Sequence, residues 1–157
     1  MIRIRNQQKK VRIDLSRLRK IAQSVLRLER KGKLELNILI SDNGQMSEYH
    51  RKYLGINGPT DVIAFGMQEG KRIVGRSRVL GDIAVSAEMA REMAKHLHIP
   101  FQEEIARYLV HGILHLFGYR DHNVQLAAQM HRKQEELLRT ITRNQSTETR
   151  MQKLEKY

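Results

Sequence analysis

The sequence predicts an α+β protein in which one mixed four-stranded sheet packs against several helices around a central, buried helix. Three observations point there. Segments that alternate apolar and polar residues are interspersed with segments whose apolar residues recur at spacings of three and four, without strict strand–helix alternation. Residues 101–118, FQEEIARYLVHGILHLFG, are apolar over most of a helical circumference, the pattern of a helix surrounded by protein. A chain of 157 residues suits one hydrophobic core and is too short for two substantial ones. Residues 1–143 are therefore read as a single domain, and the polar stretch 144–157 as an extension expected to fray.

Taken in order, Ile2 and Ile4 alternate with Arg3 and Arg5, the period-two signal of a short strand. Asp14 offers an N-cap to LSRLRKIAQSVLRLERKG, where Leu15, Leu18, Ile21, Val25 and Leu28 form one apolar stripe and Gly32 supplies the stop. LELNILIS places Leu34, Leu36, Ile38 and Ile40 on one face of a second strand; a polar turn at SDNG and a helix through MSEYHRKYL follow. Gly55 and the cluster Asn57, Gly58, Pro59 break the chain before VIAFGM, a third strand; after the basic loop EGKRIVGRSR comes a fourth, VLGDIAVS. Ser86 begins a helix through AEMAREMAKHLHI, Pro100 stands before or at the start of the central helix, and LAAQMHRKQEELLRTI closes the domain.

Composition narrows the function classes. Charge interrupts every apolar stretch well short of the roughly 20 residues that a membrane span needs. The basic amino end, MIRIRNQQKK, has no apolar segment behind it of the kind a secretory signal carries, so the cytoplasm is the expected compartment. With no cysteine, a metal site must be built from imidazole and carboxylate. Lysine and arginine number 29 against 17 acidic residues, a net charge of +12, which favours a polyanionic partner such as RNA. Aromatic residues at 5% and the absence of tryptophan predict contacts to phosphate and no base-stacking platform. Arg51, Lys52, Lys71, Arg72, Arg76 and Arg78 are candidates for a phosphate-facing rim.

The chemistry is concentrated in HGILHLFGYRDH, residues 111–122. Four residues apart on a helix, His111 and His115 share a face one turn apart, so two imidazoles can bind one ion. They interrupt an apolar run where an unpartnered imidazole is costly to bury. Gly118 can turn the chain so that Asp121 and His122 swing back towards the same point. Three protein ligands with an open fourth position describe a catalytic zinc site; His111 and His115 supply two of them for one Zn2+, and either Asp121 or His122 the third. The arrangement is zincin-like, but Gly112 occupies the place of the glutamate in H-E-x-x-H, which counts against a peptidase. Asp82 and Glu104 are the candidate general bases, while His50, His96, His98 and His131 share no spacing and are assigned no role.

Three blocks carry a family resemblance. PTDVIAF (59–65), LGDIAVS (80–86) and HGILHLFGYRDH resemble, in the same order, the PTDVLSF, LGDI and HGxLHLxGYDH motifs of the YbeY family of bacterial rRNA maturation factors. The resemblance implies a zinc-dependent, single-strand-specific endoribonuclease acting in 16S rRNA 3′-end maturation and ribosome quality control. It implies rRNA and ribosomal subunits as partners and His111, His115 and His122 as ligands. Two departures stand out. Arg120 is inserted, so that Asp121 occupies the third-ligand position by count, and Leu54 follows Tyr53 where the family commonly has Tyr-Arg. Competing readings are an rRNA-binding assembly factor whose metal fixes the fold, and a zinc hydrolase of peptides or small molecules.

Overall fold

The computed structural model describes residues 1–66 and 78–155. Along the chain run β1 (Ile2–Asn6), α1 (Leu15–Leu28), β2 (Glu35–Ser41), α2 (Asn43–Leu54), β3 (Val62–Gly66), β4 (Val79–Ser86), α3 (Ala87–Leu97), α4 (Phe101–Leu116) and α5 (Val124–Leu154). The sheet order is β1-β2-β4-β3, with β1, β2 and β4 mutually parallel and β3 antiparallel to β4 at one edge. The expected mixed four-stranded sheet against several helices is present, with β3 at one edge among the described residues.

Alternation along each strand divides the sheet into two faces. Leu36, Ile38 and Ile40 of β2 with Ile83 and Val85 of β4 point into the main core, against α1, α4 and α5. The other face carries Leu39, Ala84, Ile63 and Phe65, partly covered by Met46 and Tyr49 of α2. At the centre α4 packs against α1, α3, α5, β3 and β4, as its all-round apolarity requires. It lies close against the sheet at Gly112, where a Cβ would stand 2.9 Å from both Ile83 Cγ2 and Val62 Cγ2. The position that holds glutamate in zincins is here pressed against the sheet.

The PTDV block ties the sheet together. Asp61 accepts the Val62 N–H with its carboxylate at 2.7 Å and the Ser86 N–H with its backbone carbonyl at 2.9 Å, so the start of β3 is pinned to the end of β4. Ser86 caps α3 through the Met89 N–H and donates to Asn43 Oδ1 at 2.7 Å.

Three element limits differ from the sequence reading. Helix α1 ends at Leu28 and not at Gly32; Arg30 takes the left-handed conformation (φ 57°), because Leu28 is already 40% exposed and nothing remains for another turn to pack on. Helix α2 begins at Asn43, since Asp42 and Gln45 form a reciprocal capping box that absorbs the expected SDNG turn. Helix α5 starts at Val124, capped by Asn123, and continues as helix to Leu154. Its last buried residue is Ile141; beyond it Thr142, Ser146, Thr147 and Thr149 return their hydroxyls to carbonyls one turn back. Met67 of the expected third strand and residues 69–77 of the basic loop lie outside the described residues.

Candidate metal centre

Helix α4 delivers His111 and His115 to one point, their rings edge to face with centroids 4.7 Å apart. Hydrogen bonds fix both tautomers. His115 Nδ1 stands 3.1 Å from the Tyr119 carbonyl oxygen, which can only accept, so the proton is on Nδ1 and the lone pair on Nε2. His111 Nδ1 faces Gln134 Oε1 at 2.9 Å, and that amide donates its own N–H to Glu135 Oε1 at 3.3 Å, which gives His111 the same tautomer. The two Nε2 atoms stand 3.1 Å apart, and in two neutral rings each turns its lone pair towards the other.

A third electron-rich atom completes the triangle. After α4 the Gly118 and Tyr119 N–H groups bond back to His115 and Leu114 carbonyls, and Gly118 takes φ 99°, reversing the chain. Asp121 Oδ2 then lies 3.5 Å from each Nε2. With both imidazoles neutral, these three atoms turn only electron pairs towards one another, an arrangement that a bound cation would stabilise. Among the described residues, His111, His115 and Asp121 are the group that could hold a metal ion, and His122 is exposed and lies outside it.

Behind the two histidines sits a charge network. Gln134 is only 5% exposed. Its neighbour Glu135 accepts from Arg107 Nε at 2.7 Å, and Arg107 also pairs with Glu103 at 2.9 Å and the buried Glu104 at 3.3 Å. The Arg107 hydrogen bond holds the Glu135 carboxyl below its ordinary value, against the upward push of burial. The sequence reading missed Gln134, although a signal existed: Met130, Gln134, Leu137 and Ile141 follow helical core spacing, and a polar residue in such a stripe asks for a buried partner.

In front of this group a cleft of about 410 Å³ opens between β3 and the end of α4. Leu54, Val62, Ala64, Phe117, His115 and Arg120 line it, so the inserted Arg120 and the replacing Leu54 face the same space. Neither candidate base stands there. Asp82 is on the opposite sheet face, held by Asn37 Nδ2 at 2.7 Å, and Glu104 lies two helical turns from His111, ion-paired with Arg107. Of the expected rim, Arg51, Lys52 and Arg78 are exposed, and Lys71, Arg72 and Arg76 fall outside the described residues.

Fold and site thus define an α+β protein built round a His-His-carboxylate group that could hold one metal ion. Among the described residues no helix is long and apolar enough to cross a membrane. The chain belongs to the YbeY family: residues 3–142 match the family described as "Endoribonuclease YbeY". It is 40% identical over 138 residues to the "Endoribonuclease YbeY" of Syntrophus aciditrophicus, covering 87% of this chain and 86% of the relative. It is also 40% identical over 122 residues to that of Syntrophotalea carbinolica, with 78% and 81% covered. The fold is shared with a solution structure from Thermotoga maritima at a TM-score of 0.62 and 23% identity, over 94% of this chain and 93% of that one.

Proposed function

We propose that the protein is a zinc-dependent, single-strand-specific endoribonuclease of the cytoplasm, acting in 16S rRNA 3′-end maturation and ribosome quality control, with rRNA and ribosomal subunits as its partners. Family membership and the names of its relatives support the ribonuclease reading, and the +12 charge suits the substrate. The observation that carries the metal is the meeting of two imidazole lone pairs and a carboxylate. Ligands at about 2.05 Å on tetrahedral corners stand roughly 3.3 Å apart, close to the 3.1 and 3.5 Å found here. We assign His111, His115 and Asp121 as ligands, with His122, one residue further along the same turn, as the competing third.

When bound, the ion supplies Lewis-acid chemistry, polarising a phosphoryl oxygen and acidifying a water. The chain does the rest. Gln134 and the Tyr119 carbonyl hold the rings in the liganding tautomer. Apolar walls from Leu54, Val62 and Phe117 narrow the cleft, and Arg120 presents a guanidinium to a phosphodiester entering it. The second reading, an rRNA-binding assembly factor with a structural metal, draws on the absence of Asp82 and Glu104 from the cleft. A peptidase is disfavoured because Gly112 leaves no room for the usual base.

The test is to incubate the purified protein with single-stranded RNA, with and without a chelator, beside His115→Ala. Cleavage lost under both treatments is the expected result. Cleavage surviving both contradicts the proposal, and intact binding without any cutting favours the assembly factor.

A further inference from the structure

A trough of about 720 Å³ lies on the sheet face turned away from α4, between the strands and the last turns of α2. Its size falls within the roughly 300–1,000 Å³ of small-ligand sites. One wall is aromatic. Tyr53 meets Phe65 edge on at 5.1 Å and Tyr49 at 6.4 Å, and Tyr53 keeps 55% of its surface exposed. Three of the chain's eight Tyr and Phe rings are gathered here, a stacking surface that overall composition did not predict.

The other wall is cationic. Arg3 and Arg5 project from β1, Arg3 paired with Glu35 at 3.2 Å; on the aromatic side Lys52 of α2 lies 5.3 Å over the Tyr53 ring. Between the walls Asn37 donates to Asp82 Oδ1 at 2.7 Å, and Asn37 Oδ1 and Asp82 Oδ2 are the acceptor atoms this bond does not use. A ring to stack on, a guanidinium for a phosphate and acceptors for an amino-bearing base edge make up the contacts of one nucleotide. A wholly apolar partner would leave Arg5 and the Asn37–Asp82 pair unmatched.

The trough and the metal cleft share a partition. Tyr53 lines the trough while Leu54 lines the cleft, and Phe65 lines the trough while Ala64 lines the cleft. A single strand crossing the β3 edge therefore reaches both. We propose that this trough is a second RNA site, in which a base of the substrate strand stacks on Tyr53 and Arg5 takes an adjoining phosphate. The site deepens the ribonuclease reading and rests on it.

The experiment measures fluorescence anisotropy of a labelled single-stranded RNA dodecamer and a tetramer in EDTA, which stops cleavage. Tyr53→Ala, at an exposed position, weakens dodecamer binding by roughly tenfold, the scale of one lost base stack, and leaves the tetramer unchanged. Tyr53→Trp restores it. Arg5→Ala lowers the slope of log K against log salt by about 0.7, one phosphate contact on a single strand. Wild-type dodecamer affinity in both variants overturns the proposal while cleavage by the same preparations keeps the nuclease reading standing. A protein that neither binds nor cuts RNA removes both. Sedimentation showing that Tyr53→Ala dissociates a dimer assigns the trough to a second copy of the chain and also overturns it.

Discussion

Replacing Gln134 by leucine separates the metal-binding account from one in which the histidines are ordinary core residues. Leucine keeps most of the buried volume but removes the acceptor that faces His111 Nδ1 at 2.9 Å, from a site 5% exposed. The Nδ1 proton then has no partner, and the ring drifts towards the tautomer that puts the proton on Nε2, where the ion must sit. Loss of such an outer-shell partner lowers metal affinity about 10–100-fold, or roughly 1.4–2.8 kcal/mol. Competition against a chromophoric chelator reads this directly, and melting in excess chelator reads the metal-free fold. The expected result is weaker metal binding with cleavage falling in parallel at limiting zinc and recovering at excess. Unchanged affinity, or a loss matched by a collapse of metal-free stability, refutes the positioning role.

Three further outcomes follow from the same structure. Asp121→Ala removes a ligand and lowers metal affinity by more than about 100-fold, beyond what outer-shell losses alone produce, whereas His122→Ala leaves it within a few fold; metal titration of the two variants decides the third ligand. Arg107→Met strands Glu135 and the buried Glu104; with Arg107 and Glu135 each 23% exposed, the loss is about 2 kcal/mol, below that of a fully buried pair. Because Arg107 lowers the Glu135 carboxyl, this stability is present above the ordinary glutamate value of 4.5 and fades as pH falls through the lower folded value. Urea unfolding of wild type and variant therefore differs at neutral pH and converges in acid. Gly112→Ala pushes a methyl to 2.9 Å from Ile83 and Val62; overpacking of about 1–3 kcal/mol outweighs a helix-propensity gain of roughly 1 kcal/mol, and the melting temperature drops by several degrees.

Much of this architecture is written locally. The alternation in LELNILIS, the caps Asp14 and Ser86 and the stop at Gly55 each act within a few residues, and each appears where its pattern places it. What escaped depended on distant partners. Arg30 adopts a positive φ because the core beyond Leu26 has run out, which no glycine count reveals. The pairing of His111 and His115 is one helical turn and was legible; the choice of Asp121 over His122 for the group depends on how Gly118 and Tyr119 fold back on α4, a geometry the motif does not encode. Gln134 reaches His111 from a different helix, and Asp82 turns away from the site because its strand parity points it to the opposite face. The aromatic wall joins residues from α2 and β3, a gathering that the low overall aromatic content, from which no stacking platform was expected, does not register.

The most direct measurement is a crystal structure of zinc-loaded protein with anomalous scattering recorded at the zinc edge. The account predicts one peak about 2.0–2.2 Å from His111 Nε2, His115 Nε2 and an Asp121 carboxylate oxygen, with a fourth position open to the cleft. Rings turned apart with no peak between them, or a fourth protein ligand closing the site, would contradict it.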